Sequence, residues 1–148
     1  MVTARRVRPG PLPCGTEKLL FVEDEPSVRH LACSVLENLG YKVLSAPNGK
    51  DALHVARGQK RSPIRLVITD VIMPVMDGKV MAERLKTRYP NLKILFTSGY
   101  TDDAILAHGV PEPGVEFLPK PYTPAALARK VRHLLDEKST SEPAGPED

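Results

Sequence analysis

Four apolar runs in this chain stop abruptly at residues suited to chemistry. Leu19-Leu20-Phe21-Val22 is followed by Glu23-Asp24-Glu25, Leu66-Val67-Ile68 by Thr69-Asp70, Ile94-Leu95-Phe96 by Thr97, and Val115-Glu116-Phe117-Leu118 leads to Lys120. The runs are short, rich in β-branched residues, and separated by segments of helical period, which predicts buried parallel strands with helices on both faces. In an open parallel α/β sheet, ligands bind outside the carboxyl ends of the strands. Acids, a hydroxyl and an ammonium are therefore expected at one sheet edge. Acids held close together need a cation, and a Lys and a Thr beside them suit an anion that comes and goes. The set reads as a Mg²⁺-dependent aspartyl-phosphate site.

The rest of the pattern fills in the alternation. Leu19–Glu23 is the first expected strand, and Pro26, with its fixed φ, opens a helix. That helix carries Val28, Leu31, Ala32, Val35, Leu36 and Leu39 on one face and ends at Gly40. Lys42–Ala46 is the second strand, and Asn48-Gly49 begins a helix through Ala52, Leu53, Val55 and Ala56. Ile64–Thr69 is the third strand. Asp77 suits the cap of a helix through Val80, Met81 and Leu85 to about Tyr89, which Pro90 stops. Lys93–Phe96 is the fourth strand. Thr101 or Asp102 caps a short helix, Ala104–His108, and a Gly/Pro loop leads to the fifth strand, Val115–Leu118. Thr123-Pro124 starts the last helix, with Leu127, Val131, Leu134 and Leu135 on one face. Five such units predict an α/β, doubly wound (βα)5 flavodoxin-like three-layer sandwich with parallel strand order 2-1-3-4-5.

At 148 residues the chain is expected to form one domain, residues 17–138, between a disordered basic, Pro-rich leader, 1–16, and a disordered tail, 139–148. No run is long enough to span a bilayer, and no apolar stretch follows Arg5, Arg6 and Arg8 as a secretory signal requires. Cys14 and Cys33 make no disulfide framework, so a reduced, cytoplasmic protein is expected. The net charge of +3 is spread over many Lys and Arg and does not cluster with aromatics, so direct DNA binding is not expected. His30, His54, His108 and His133 show no metal-ligand spacing and read as surface residues.

Val22-Glu23-Asp24-Glu25, Thr69-Asp70-Val71-Ile72-Met73-Pro74-Val75-Met76-Asp77-Gly78, Thr97-Ser98-Gly99 and Lys120-Pro121 stand in order and in register. Over about residues 17–137 the chain resembles the CheY-like receiver domain of two-component response regulators. Phe96-Thr97-Ser98-Gly99-Tyr100-Thr101, the Cys14-Gly15-Thr16-Glu17 leader and the Pro-rich loop before Phe117 look most like receivers at the C-terminus of hybrid histidine kinases. The resemblance implies Asp70 as phosphoacceptor, with Thr97 and Lys120 contacting the phosphoryl oxygens. It implies Mg²⁺ held by Asp24, Asp70 and the backbone carbonyl of Ile72, with Glu23 acting through water. Many relatives have Asp where Glu23 stands. It further implies a cis Lys120-Pro121 bond and a switch pair of Thr97 and Phe117. The expected partners are a histidine kinase or a histidine phosphotransfer protein. The domain would catalyse only its own phosphorylation and dephosphorylation, either as a free-standing receiver or as an excised piece of a hybrid kinase.

Two other classes are weighed against this. A haloacid-dehalogenase-type phosphatase needs a second acid two residues after its nucleophile, where Ile72 stands. A flavodoxin-like nucleotide binder needs a Gly/Ser/Thr-rich loop after the first strand, where Glu23-Asp24-Glu25-Pro26 would repel phosphate. Ile72 and Gly99 offer nothing to orient an attacking water, so a long-lived phosphoryl group is expected. The last helix lacks sustained heptads, so the expected state is a monomer, or a weak dimer through the face around Ala104, Phe117 and Leu127.

Overall fold

In the computed structural model, which describes residues 12–59, 63–71, 78–98 and 115–137, the apolar runs pair side by side. The strands are β1 (Lys18–Val22), β2 (Lys42–Ala46), β3 (Leu66–Asp70), β4 (Lys93–Ser98) and β5 (Val115–Pro119). They form one sheet of order β2-β1-β3-β4-β5, and every pairing is parallel. The helices are α1 (Pro26–Asn38), α2 (Gly49–Arg57), α3 (Gly78–Arg88) and α4 (Pro124–Asp136).

Alternation along the central strands divides the core in two. Leu20, Val22 and Val67 face Ala52 and Ala56 of α2 and Met81 and Leu85 of α3. Leu19, Phe21, Leu66 and Ile68 face Ala32 and Leu36 of α1 and Leu127, Val131 and Leu134 of α4. Each fully buried Val, Leu, Ile, Phe or Met side chain among them stabilises the fold by about 1.5–3 kcal/mol. The three layers and the strand order are those the sequence predicts. The order reverses between β1 and β3, and that reversal opens the crevice where this architecture places ligands.

The element ends follow local chemistry. Asn48 accepts the Asp51 N–H at 2.8 Å, and Thr123 Oγ1 accepts the Ala126 N–H at 3.0 Å ahead of Pro124. Past α1 the chain turns through Gly40 at φ +102°, a left-handed conformation that favours glycine. Several strand boundaries differ from expectation by one or two residues: β1 covers Lys18–Val22 and not Leu19–Glu23, β4 runs on to Ser98 and β5 to Pro119. β3 begins at Leu66, not Ile64, because its pairing with β1 and β4 starts there. It also runs on to Asp70, which lies opposite Thr97 in β4. The expected cap Asp77 and the expected helix Ala104–His108 lie outside the described residues.

Two buried or half-buried cations tie the edges together. Lys93 is buried at the start of β4 and donates to the carbonyls of Leu134 at 3.0 Å and Glu137 at 2.6 Å, where α4 ends. Burial lowers its pKa. Arg132 of α4 donates to both carboxylate oxygens of Glu17, at 3.1 and 2.7 Å, to Tyr41 Oη, to Asp136 and to the carbonyl of Cys14. The Gly15 N–H in turn donates to the Leu39 carbonyl at 3.1 Å. The part of the expected leader within the described residues is thus fastened to the domain.

The fork between Arg132 and Glu17 has a pH signature. The Arg132 hydrogen bond, partly opposed by burial, lowers the Glu17 pKa. A carboxyl lowered on folding contributes stability that is full above the unfolded value of about 4.3 and is lost as pH falls through the folded value. Glu17→Gln is expected to cost about 1 kcal/mol near neutral pH. The gap in melting temperature between wild type and variant should narrow from about pH 6 to about pH 3. A gap that stays constant over that range would show that the Glu17 charge is not what Arg132 holds.

Candidate functional site

The carboxyl ends of β1, β3 and β4 and the turn after β5 bring the polar residues together. Glu23 and Asp24 directly follow β1, and Asp70 is the last residue of β3. Because β1 and β3 are neighbours, ligand atoms of Glu23, Asp24 and Asp70 lie within 4.8 Å of one another. Lys120, just past β5, places Nζ 2.9 Å from Glu23 Oε1 and 3.0 Å from Asp70 Oδ2. The Lys120-Pro121 peptide is cis.

Lys120 thereby pairs with the carboxylate expected to accept the phosphoryl group. The equally close contact with Glu23 was not anticipated from the sequence. Glu23 is buried, and its other oxygen, Oε2, accepts the Glu25 N–H at 3.1 Å. Both of its oxygens are thus engaged inside the fold, while Asp24 is exposed to solvent. The Arg29 guanidinium donates to the Glu23 backbone carbonyl. Burial draws the Lys120 pKa down, but its hydrogen bonds to Glu23 and Asp70 outweigh burial and hold it above the usual lysine value. One ammonium between two of three carboxylates leaves the cluster short of positive charge. An all-oxygen donor set of that charge, open at Asp24, fits a hard divalent cation such as Mg²⁺.

Thr97 is buried in β4 opposite Asp70, and its carbonyl accepts the Val71 N–H at 3.1 Å. Phe117 lies opposite Phe96 across β4 and β5, with the rings stacked at 5.6 Å and 19° between planes. Ile72 and Gly99 lie outside the described residues. An apolar groove of about 500 Å³, lined by Val28, Leu31 and Val35 of α1 and by Pro121 and Tyr122, opens beside Lys120. The Tyr122 hydroxyl is buried without a hydrogen-bond partner among the described residues, and burial pushes its pKa up to about 12.

Gly78, the first residue of α3, supports the site from behind. A Cβ there would stand 1.9 Å from the Asp70 carbonyl oxygen and 3.0 Å from Thr69 Oγ1. The Gly78 N–H donates to the Val71 carbonyl at 2.8 Å. The Asp-Gly pair at 77–78 looks in sequence like a turn and a cap. Its glycine also allows α3 to approach the backbone that carries Asp70.

Comparison with known proteins bears on the family and the fold. Residues 19–132 match the family model described as the response regulator receiver domain. The chain is 34% identical over 124 residues to the sensor kinase CckA of Brucella abortus (strain 2308), an alignment covering 84% of this chain and 13% of that protein. It is 29% identical over 119 residues to the response regulator receiver protein CpdR of the same organism, covering 80% of this chain and 97% of CpdR. It also spans about half the length of several transcriptional regulators that it matches. Among solved structures, the receiver domain of the hybrid histidine kinase CckA superposes with a TM-score of 0.66 at 38% identity, covering 80% of this chain and 98% of that one.

The close approach at Gly78 predicts a cost for any side chain there. Gly78→Ala should lower stability by about 1–3 kcal/mol through overpacking. That exceeds the ~1 kcal/mol that alanine gains over glycine within a helix. Chemical denaturation checks it, and a midpoint equal to or above wild type would contradict the packing described.

Proposed function

This chain belongs to the response regulator receiver domain family of two-component signalling, and on that basis we propose that Asp70 accepts a phosphoryl group from a phosphohistidine of a histidine kinase or phosphotransfer protein. The observation that carries the reading is the Lys120 ammonium shared between Asp70 and Glu23 at the carboxyl edge of the sheet, with Asp24 alongside. Lys120 holds Oδ2 of Asp70, which leaves Oδ1 as the attacking oxygen. As the Oδ1–phosphorus bond forms, the phosphorus–nitrogen bond of the donor breaks and its electron pair returns to the imidazole. Lys120 then exchanges a carboxylate oxygen for a phosphoryl oxygen, a change that suits a compact ammonium. The Thr97 hydroxyl donates to a second phosphoryl oxygen. Asp24, Asp70 and, as the resemblance implies, the Ile72 carbonyl would hold Mg²⁺, which would supply charge neutralisation for the phosphoryl oxygens. Glu23 positions Lys120 through Oε1, and its remaining lone pairs would reach the metal through water. The apolar groove beside Lys120 lets the donor protein bury surface next to the reacting atoms.

After phosphorylation, Thr97 moves toward the phosphoryl group and the Phe117 ring shifts into the space behind it. The modification thereby biases a two-state face formed by β5 and α4. The half-buried stack of Phe117 on Phe96 is the contact that has to yield.

Incubation with Mg²⁺ and a small acyl phosphate should label the wild type. Asp70→Asn should abolish the label, and Asp24→Ala should abolish its metal dependence. Labelling of Asp70→Asn at the wild-type rate would overturn the reading, as would metal-independent labelling of the wild type. Lifetime gives a separate measure. Ile72 and Gly99 offer no side chain to position a water, and positioning is a large part of phosphoryl-transfer catalysis. Ile72→Asn, alone or with Gly99→Gln, is expected to speed decay of the label about tenfold or more, which corresponds to ~1.4 kcal/mol of barrier. A short wild-type lifetime that Ile72→Asn leaves unchanged would show that these positions do not control water.

A further inference from the structure

On the edge strand β5, two strands across the sheet from Asp70 in β3, three side chains from two elements converge. Glu116 is the second residue of β5, and His133 and Glu137 lie four residues apart at the end of α4. His133 Nε2 stands 3.9 Å from Glu116 Oε2 and 3.8 Å from Glu137 Oε2. Ligand atoms of all three residues lie within 4.8 Å of one another. The four histidines show no metal spacing along the sequence. The fold supplies the third donor from a strand 17 positions before His133.

We propose that Glu116, His133 and Glu137 form a site for a transition-metal dication of the zinc class, which fastens the last helix to the edge strand. Both nitrogen-to-oxygen distances exceed hydrogen-bonding range, about 2.7–3.2 Å. They lie close to the separation of ligands that share one ion. With zinc-to-ligand bonds of about 2.0–2.2 Å, tetrahedral donors stand ~3.4 Å apart. Small rotations of three partly exposed side chains cover the difference. The imidazole decides the class of metal. Mg²⁺ and Ca²⁺ take oxygen donors, whereas imidazole with carboxylates suits Zn²⁺ and its neighbours. Glu116 is already oriented for the role. Lys130 Nζ lies 3.4 Å from its Oε1, which turns Oε2 toward His133. Such an outer contact is typical of metal ligands.

The geometry gives the ion access and a task. The side chains of Glu116 and Glu137 are about one-third exposed, at 33% and 37%, and that of His133 is 59% exposed, so the site opens to solvent. Three protein donors leave a fourth position for water or for a donor from another molecule. Because the donors come from β5 and α4, only the folded chain brings them together, and binding therefore stabilises the fold. The alternative occupant of the same geometry is a proton: an imidazolium between two carboxylates, needing no metal.

The test uses the full chain carrying Asp24→Asn and Cys14→Ser, so that neither the acidic cluster nor the exposed thiol reports. Isothermal titration with Zn²⁺ should show one saturable site per chain, with a rise in melting temperature that equal Mg²⁺ does not produce. Adding His133→Ala or Glu137→Gln should each weaken binding at least about tenfold. Neither replacement touches the core, and circular dichroism confirms folding. Co²⁺ in the same background should give visible absorption of a low-symmetry nitrogen–oxygen site that His133→Ala removes. Absence of saturable Zn²⁺ binding would leave the imidazolium triad as the explanation and overturn the proposal. Binding unaffected by either substitution would also overturn it.

Discussion

One ammonium reaching two carboxylates sets the terms for this fold. Strands lie about 4.8 Å apart, so β3 and β1 are roughly 10 and 15 Å from β5 along the sheet. Lys120 nevertheless meets Asp70 of β3 and Glu23 after β1. That requires the turn after β5 to fold back over the end of β4, and the three strand ends to be level. A slip of one residue in any strand would turn its side chains to the other face. The doubly buried cores on the two sides of β1 and β3 forbid that slip, because each face is matched to its own pair of helices. Packing and chemistry therefore rest on the same register.

Much of this was legible in the sequence because parallel strands buried on both faces announce themselves as unbroken apolar runs. The residue that ends such a run is almost fixed at the sheet edge. Asp70, Glu23, Asp24 and Lys120 could be assigned to one edge from that rule alone. Helix starts were equally readable at Asn48 and Thr123, where a side chain caps the first turn.

What escaped the sequence was pairing at a distance. Glu23 is an acid after a strand, and nothing local shows that its two oxygens are taken by Lys120 and the Glu25 amide. Gly78 looks like an ordinary turn residue until α3 is laid against the Asp70 backbone. The grouping of Glu116 with His133 joins a strand to a helix, so only half of it, the four-residue step to Glu137, was written in the chain. Each case is a tertiary contact between segments whose own periodicity carries no record of the other.

The fastening by Arg132 has a mechanical meaning. The same guanidinium holds the carbonyl of Cys14, the carboxylate of Glu17 just before β1, and Asp136 at the end of α4. A pull on the segment before β1 is therefore carried into α4 before it can peel a strand from the centre of the sheet. Tension on α4 returns along the same route to the segment before β1. Arg132 thus closes a loop of force from the segment before β1 to α4. Where it is tethered to other mass, load passes around the sheet and spares the register on which the acidic edge depends.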